Sequence, residues 1–190
     1  MPKRKAFKKP FFQLIMYAAR EDSLLLLKEV NKYAKGKVLD MGAGSAVQAL
    51  GAADRKDVDS ILAVDIDKEV VKELKKTIKT KKIRIGYSNL FSNVKGKFDT
   101  IIFNPPYLPD DAGMEDRALY GGKEGHELIE KFFKQVSRHL NREGIILLVF
   151  SSFTGKKKVD SIIAENGFKS RQLGHQRIFF EELWVYIAEK

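Results

Sequence analysis

Short β-prone runs alternate with stretches of helical spacing along most of this chain, and that alternation sets narrow limits on its fold. Helical spacing of Leu24, Leu27, Val30 and Ala34 predicts a helix over 21–34, capped by Asp22 or Ser23 and ended by Gly36. Val38–Met41 then reads as a strand, 46–50 as a short helix, Ile61–Val64 as a strand and 68–79 as a helix. Ile83–Tyr87 alternates apolar and polar residues, as a strand near a sheet edge does. A strand over 98–107 follows, then a loop over 108–122, an amphipathic helix over 123–140, an apolar strand over 145–150 and a helix over 157–165 with Asn166–Gly167 as its C-cap. Two strands, 168–173 and 183–188, close the chain without a helix between them. Alternation argues for a doubly wound parallel sheet, and the terminal pair for an antiparallel hairpin. The expected architecture is α/β: seven strands, mostly parallel, a C-terminal antiparallel hairpin, and helices on both faces.

Composition excludes several classes of function. There is no cysteine, so disulfides, thiol nucleophiles and thiolate metal sites are ruled out, and a cytoplasmic location is expected. His126, His139 and His175 are far apart and have no metal-ligand spacing, so they read as surface or loop residues and no metal is expected. No run approaches the roughly 20 apolar residues of a membrane helix, so no membrane partner is expected. At 190 residues, 44% hydrophobic and 32% charged, the chain reads as a basic tail over 1–16 and a single domain over 17–190. The net charge of +10, with Lys3, Arg4, Lys5, Lys8 and Lys9 in the first nine residues, leaves nucleic acid open as a partner. The internal lysine clusters read as solvated surface.

Two stretches carry chemistry. Ile101–Phe103 is an apolar run that ends at Asn104–Pro105–Pro106–Tyr107. The two prolines remove two backbone donors, leaving a stiff tip rich in acceptors at a strand's carboxyl end, where open α/β sheets bind ligands. Such a tip suits an –NH2 group, whose two N–H donors need two acceptors. Read alone, the stretch serves equally as a plain turn. The second stretch is Asp40–Met41–Gly42–Ala43–Gly44–Ser45–Ala46. Its glycines let backbone approach a ligand, while Ala46 stands where a dinucleotide fingerprint has its third glycine. Asp65 ends the next strand, 21 residues after Gly44, where a ribose-binding carboxylate belongs. It also reads as a helix cap, but Asp67 can take that role, so the nucleoside-binding reading is favoured.

Taken in order, Val-Leu-Asp-Met-Gly-Ala-Gly-Ser, Ala-Val-Asp-Ile-Asp and Asn-Pro-Pro-Tyr resemble the class I S-adenosylmethionine-dependent methyltransferases that act on planar amino nitrogens. Two further stretches, 17–26 with its Glu21–Asp22–Ser23 and 118–133 with its Gly-Gly-Lys-Glu-Gly, are similar to HemK-type enzymes, which methylate a protein glutamine. The short length resembles the archaeal and eukaryotic branch. This resemblance implies a Rossmann-like fold with S-adenosyl-L-methionine as cofactor. It assigns Asp40 and Gly42 to the methionine end, Asp65 to the ribose and Ser23 to the helix that covers the cofactor, and it counts Gly44, Asn89 and Asn104 among the cofactor-binding residues. Asn89 stands where the family has an aspartate facing adenine; it is uncharged but can still accept an N–H. The implied substrate is the glutamine of the Gly-Gly-Gln loop in a peptide release factor, and the implied partner a small zinc-binding activator protein along a sheet edge, for which the strand at 83–87 is the candidate.

An amide nitrogen is a poor nucleophile, so alignment is the catalyst's main task. The expected catalytic group is Asn104, whose side-chain oxygen accepts one N–H, with the Pro105 carbonyl accepting the other and Tyr107 packing on the planar target. Two alternatives stand beside the glutamine reading: an adenine amino-group methyltransferase acting on RNA or DNA, favoured by the charge, and a non-catalytic subunit that keeps the fold.

Overall fold

The computed structural model describes residues 20–106 and 125–190, together with the backbone of 108–109 and 120–122. The expected tail over 1–16 and Tyr107 lie outside the described residues.

Nine strands and five α-helices are described: α1 (Glu21–Tyr33), β1 (Gly36–Met41), α2 (Val47–Ala53), β2 (Val58–Asp65), α3 (Lys68–Thr77), β3 (Ile83–Tyr87), β4 (Phe98–Phe103), β5 (Leu108–Pro109), β6 (Tyr120–Gly122), α4 (Glu127–Val136), β7 (Leu140–Ser151), α5 (Lys156–Glu165), β8 (Lys169–Ile178) and β9 (Glu181–Glu189). Seven of the strands form one sheet in the order β3-β2-β1-β4-β7-β9-β8. β1 to β4 and β7 run parallel, and β9 lies antiparallel between β7 and β8. The seven-stranded fold with its C-terminal hairpin is therefore present, and β3 is an edge strand as its alternation predicts.

Side-chain alternation in the strands divides the core in two. Val38, Ala63, Ile102, Leu147 and Val185 face α1, α2 and α3. Leu39, Ile101, Phe103, Ile146, Leu148 and Trp184 face α4 and α5. Burial on both faces explains why the central strands read as continuous apolar runs rather than alternating ones. At the amino end of the sheet the Asp99 carboxylate accepts from the Lys37 backbone N–H at 2.8 Å and from Asn141 at 2.6 Å, tying β1 to β7 across β4.

Several boundaries differ from expectation. Neither Asp22 nor Ser23 caps α1: the N-cap is Arg20, with no side-chain cap, and the two residues are turned to other work. Nor does Gly36 end that helix; with φ +61° it opens β1, and a Cβ there would lie 2.3 Å from the Asp99 carboxylate. The helix over 123–140 is shorter in its described part, because Leu140 leaves it to pair with Phe98 as the first residue of β7. The loop over 108–122 is not structureless: its ends, β5 and β6, pair as a two-stranded parallel ribbon. The histidines take the surface and loop positions expected of them, with contacts of their own. His126 is buried before α4, while His139 and His175 stack on Phe91 and Trp184. No cluster of three potential metal ligands occurs among the described residues.

Candidate functional site

The carboxyl ends of β1, β2 and β4 lie side by side, with Met41 level with Val64 and Phe103. The Asp40–Ala46 loop, Asp65 and Asn104 are thereby brought together from three separate parts of the sequence.

The glycine loop runs through three left-handed residues, Gly42 (φ 69°), Gly44 (φ 50°) and Ala46 (φ 60°). Ala46 adopts a conformation that glycine takes freely and alanine does not, so the loop carries strain at its last residue. Backbone hydrogen bonds hold it there: Ala43 N–H donates to Val64 at 2.9 Å and Ala46 N–H to Ala43 at 2.6 Å. A Cβ on Gly42 would stand 4.0 Å from the Asn104 carbonyl, and one on Gly44 would meet nothing within 4 Å. The loop thus presents bare backbone to open space beside the tip of β4.

Two carboxylates flank it. Asp40 is 2% exposed and accepts from the Ala49 N–H at 3.0 Å. Burial pushes its pKa up to about 7; the Ala49 hydrogen bond pulls the other way and the nearby charge of Asp65 adds to the rise. Asp65 is half-buried and already engaged, since one oxygen accepts from Gly44 N–H at 2.8 Å and the other from Asp67 N–H at 2.9 Å. It therefore splints the glycine loop to the end of β2, while the remaining lone pairs of its two oxygens can still accept hydroxyls. Asp67 takes the helix-cap role expected of it, accepting from Glu69 N–H at 2.7 Å. Asn89 is exposed just past β3, where its backbone N–H donates to the Ser92 hydroxyl at 3.1 Å.

At the tip of β4, the Asn104 side-chain Nδ2 donates to Ser23 Oγ at 3.1 Å and to Asp22 Oδ2 at 3.3 Å. Its Oδ1 is buried and has no hydrogen-bond partner among the described residues. Pro105 is buried and Pro106 half-buried beside it. Ser23, expected to cover a ligand from its helix, thus also stands against the catalytic candidate.

Three residues given no site role from the sequence stand in this arrangement. Asp22 holds Asn104. Gln48 is polar within a helix whose residues 47–52 are all buried; its Nε2 donates to the Ser23 carbonyl at 2.8 Å, and its Oε1 has no partner among the described residues. Ile66, directly after Asp65, is 49% exposed at the rim. A buried glutamine and an exposed isoleucine both depart from their usual placement, but burial is not visible before the strands and helices are assembled.

Comparison with known proteins shows the family. The family model described as methyltransferase small domain matches residues 20–177. A protein of Methanocaldococcus jannaschii, described as a candidate protein N5-glutamine methyltransferase, is 36% identical over 180 residues, covering 91% of each chain. Ribosomal RNA small subunit methyltransferase C of Escherichia coli O1:K1 is 31% identical over 133 residues; the match covers 69% of this chain but only 36% of that longer protein. Among solved structures, the E. cuniculi Mtq2–Trm112 complex, responsible for methylation of the eRF1 translation termination factor, superposes with a TM-score of 0.71 at 22% identity, covering 90% of this chain and 96% of that one. At that identity the likeness is one of fold.

Proposed function

Because this chain belongs to the small-domain methyltransferase family, we propose that it transfers a methyl group to a planar amide nitrogen, the side chain of the glutamine in the Gly-Gly-Gln loop of a peptide release factor. S-adenosylmethionine is the methyl donor of this family, and the residues present suit it. The bare glycine loop leaves room for backbone to approach a ligand, Asp65 keeps free lone pairs for a ribose diol, and Asp40 is a buried acid next to where an α-ammonium would lie. Ile66 offers an apolar face beside Asp65, and Asn89 an amide at the end of β3, for an adenine ring. When bound, the cofactor supplies an electrophilic methyl with a good leaving group.

The observation that carries the acceptor reading is the buried, unpartnered Oδ1 of Asn104 at the tip of β4. A lone acceptor in a buried place is costly unless a donor arrives. One N–H of a primary amide satisfies it, and the Pro105 carbonyl takes the second. Two acceptors in the plane of the –NH2 group align its nitrogen and stabilise the positive charge that grows on it during transfer. Tyr107, two residues after Pro105, is the aromatic residue we assign to the planar group. These residues align and polarise; the methylated nitrogen, cationic as the new N–C bond forms, then loses its extra proton to water, so no side chain at the tip has to take it.

The archaeal relative's name favours glutamine. The charge of +10 and the partial match to a ribosomal RNA enzyme favour a second reading, an adenine amino group on nucleic acid. Both present the same –NH2 chemistry. In the glutamine reading the chain is a HemK-type enzyme of the cytoplasm and works with a small zinc-binding activator protein. Purified protein, with and without that activator, is offered labelled S-adenosylmethionine together with release factor or structured RNA. The expected outcome is label on release factor, lost both when the Gly-Gly-Gln glutamine is replaced and in Asn104→Ala, which still binds cofactor. Label on RNA alone would replace the glutamine reading with the adenine one.

A further inference from the structure

Asparagine is a symmetric-looking group with opposite ends: one accepts hydrogen bonds, the other donates them. A 180° turn of the Asn104 amide would put Nδ2 where Oδ1 now stands and present a donor to an incoming –NH2 group, which is itself a donor. The site works in one orientation only, so something must enforce it. Ser23 cannot, because a hydroxyl both donates and accepts and would satisfy either end. Gln48 meets the Ser23 carbonyl rather than its hydroxyl. Asp22 is different. It is 8% exposed, and its Oδ2 lies 3.3 Å from Asn104 Nδ2. A carboxylate only accepts, so the flipped amide would set an oxygen against it.

We propose that Asp22 is a positioning residue that locks the Asn104 amide with its oxygen toward the substrate nitrogen. Its negative charge also polarises that amide through the Nδ2 hydrogen bond and raises electron density on Oδ1, where charge is needed during transfer. Asp22 does not itself touch the acceptor. The serine and the carboxylate divide the work: Ser23 contributes a contact, Asp22 the direction. The inference rests on the proposed role of Asn104, and it explains why a carboxylate sits nearly buried at the start of α1 without capping that helix.

The test is Asp22→Asn, isosteric but able to donate as well as accept, with Asp22→Ser as a second variant should the first fold poorly. Two measurements are made. In the cofactor-bound protein, without any acceptor, 15N spectra of the Asn104 side-chain amide report its hydrogen bonding. Wild type is expected to show one downfield, exchange-protected Nδ2 signal, and the variants a shifted, unprotected or doubled one. With the acceptor, kcat is expected to fall on the order of 10²-fold, by analogy with losing one preorganised oxyanion-hole group, while the acceptor's KM and the cofactor's Kd stay within about threefold of wild type, the pattern of an interaction made mainly in the transition state. An unchanged amide signal in both variants, or a kcat within about twofold of wild type, overturns the proposal. If wild type transfers no methyl to a glutamine substrate, the function proposed above fails instead, and the spectra still decide whether Asp22 sets the amide's direction.

Discussion

In the proposed site, Asp40 would couple stability to ligand binding. Its carboxyl is buried, and its pKa is raised to about 7. A carboxyl with a raised folded-state pKa holds its proton more tightly folded than unfolded, so the free protein loses stability as pH rises from the ordinary carboxylate range, near 4, to about 7. The full loss is roughly 4 kcal/mol. A cationic ligand next to Asp40 reverses the preference, because it needs the charged form. Cofactor affinity measured by calorimetry is therefore expected to strengthen about tenfold between pH 6 and pH 8. In Asp40→Asn the affinity is expected to be weaker and flat over that interval, while urea unfolding of the free variant loses the wild type's decline in stability with pH. Wild-type affinity that does not change with pH would contradict a role for Asp40 at the ammonium.

At the scale of elements, the sheet is registered at its amino end by Asp99 and at its carboxyl end by the site. Asp99 reaches Lys37 and Asn141 only because Gly36 has no side chain in its way. Gly36→Ala would add a Cβ 2.3 Å from the carboxylate at a φ of +61°. The left-handed φ alone costs about 1–2 kcal/mol, and displacing Asp99 adds to it. The unfolding free energy is expected to fall by at least that much, read as a lower urea midpoint with an unchanged slope, the sign that stability and not compactness changed. A midpoint equal to wild type would show that β1 can shift at no cost, and that the Asp99 contacts do not register it.

At the scale of the whole molecule, the seven-stranded sheet has β3 and β8 as its edge strands among the described residues. Along β3 the bonds Ile61 N–H to Lys82 and Ser88 N–H to Asp65 mark even-numbered residues as those facing β2. In a parallel ladder the backbone groups of Ile83, Ile85 and Tyr87 then face outward. An activator protein added along this edge would use them, as in β-strand addition. Ile85→Pro removes one outward N–H and leaves the β2 side intact. The expected outcome in a titration of this protein with the activator is association weakened at least about tenfold, with cooperative unfolding of the free protein retained. Wild-type affinity would move the interface to another surface.

How much of this was legible beforehand follows from what each feature depends on. Strands β1, β2, β4 and β7 were readable because burial on both faces leaves an unbroken apolar run, and α3 was readable from its period and its Asp67 cap. The strand-end positions of Asp40, Asp65 and Asn104 were readable because glycine-rich and proline-rich turns mark strand ends locally. Leu140 was misplaced because its helical spacing continues past the point where pairing with Phe98 overrides it. Asp22 and Gln48 were missed as site residues for a related reason: their meaning comes from partners 82 and 25 residues away. The sequence by itself determined the alternation of elements, and with it the sheet and the end of the sheet that carries the chemistry, since apolar period and turn residues are local properties. Only the tertiary structure decided that Asp65 splints the glycine loop, that Asn104 keeps one acceptor open, and that a carboxylate at the start of α1 stands behind it. Hydrogen-bond partners and burial arise from packing, and packing brings together groups that no local pattern connects.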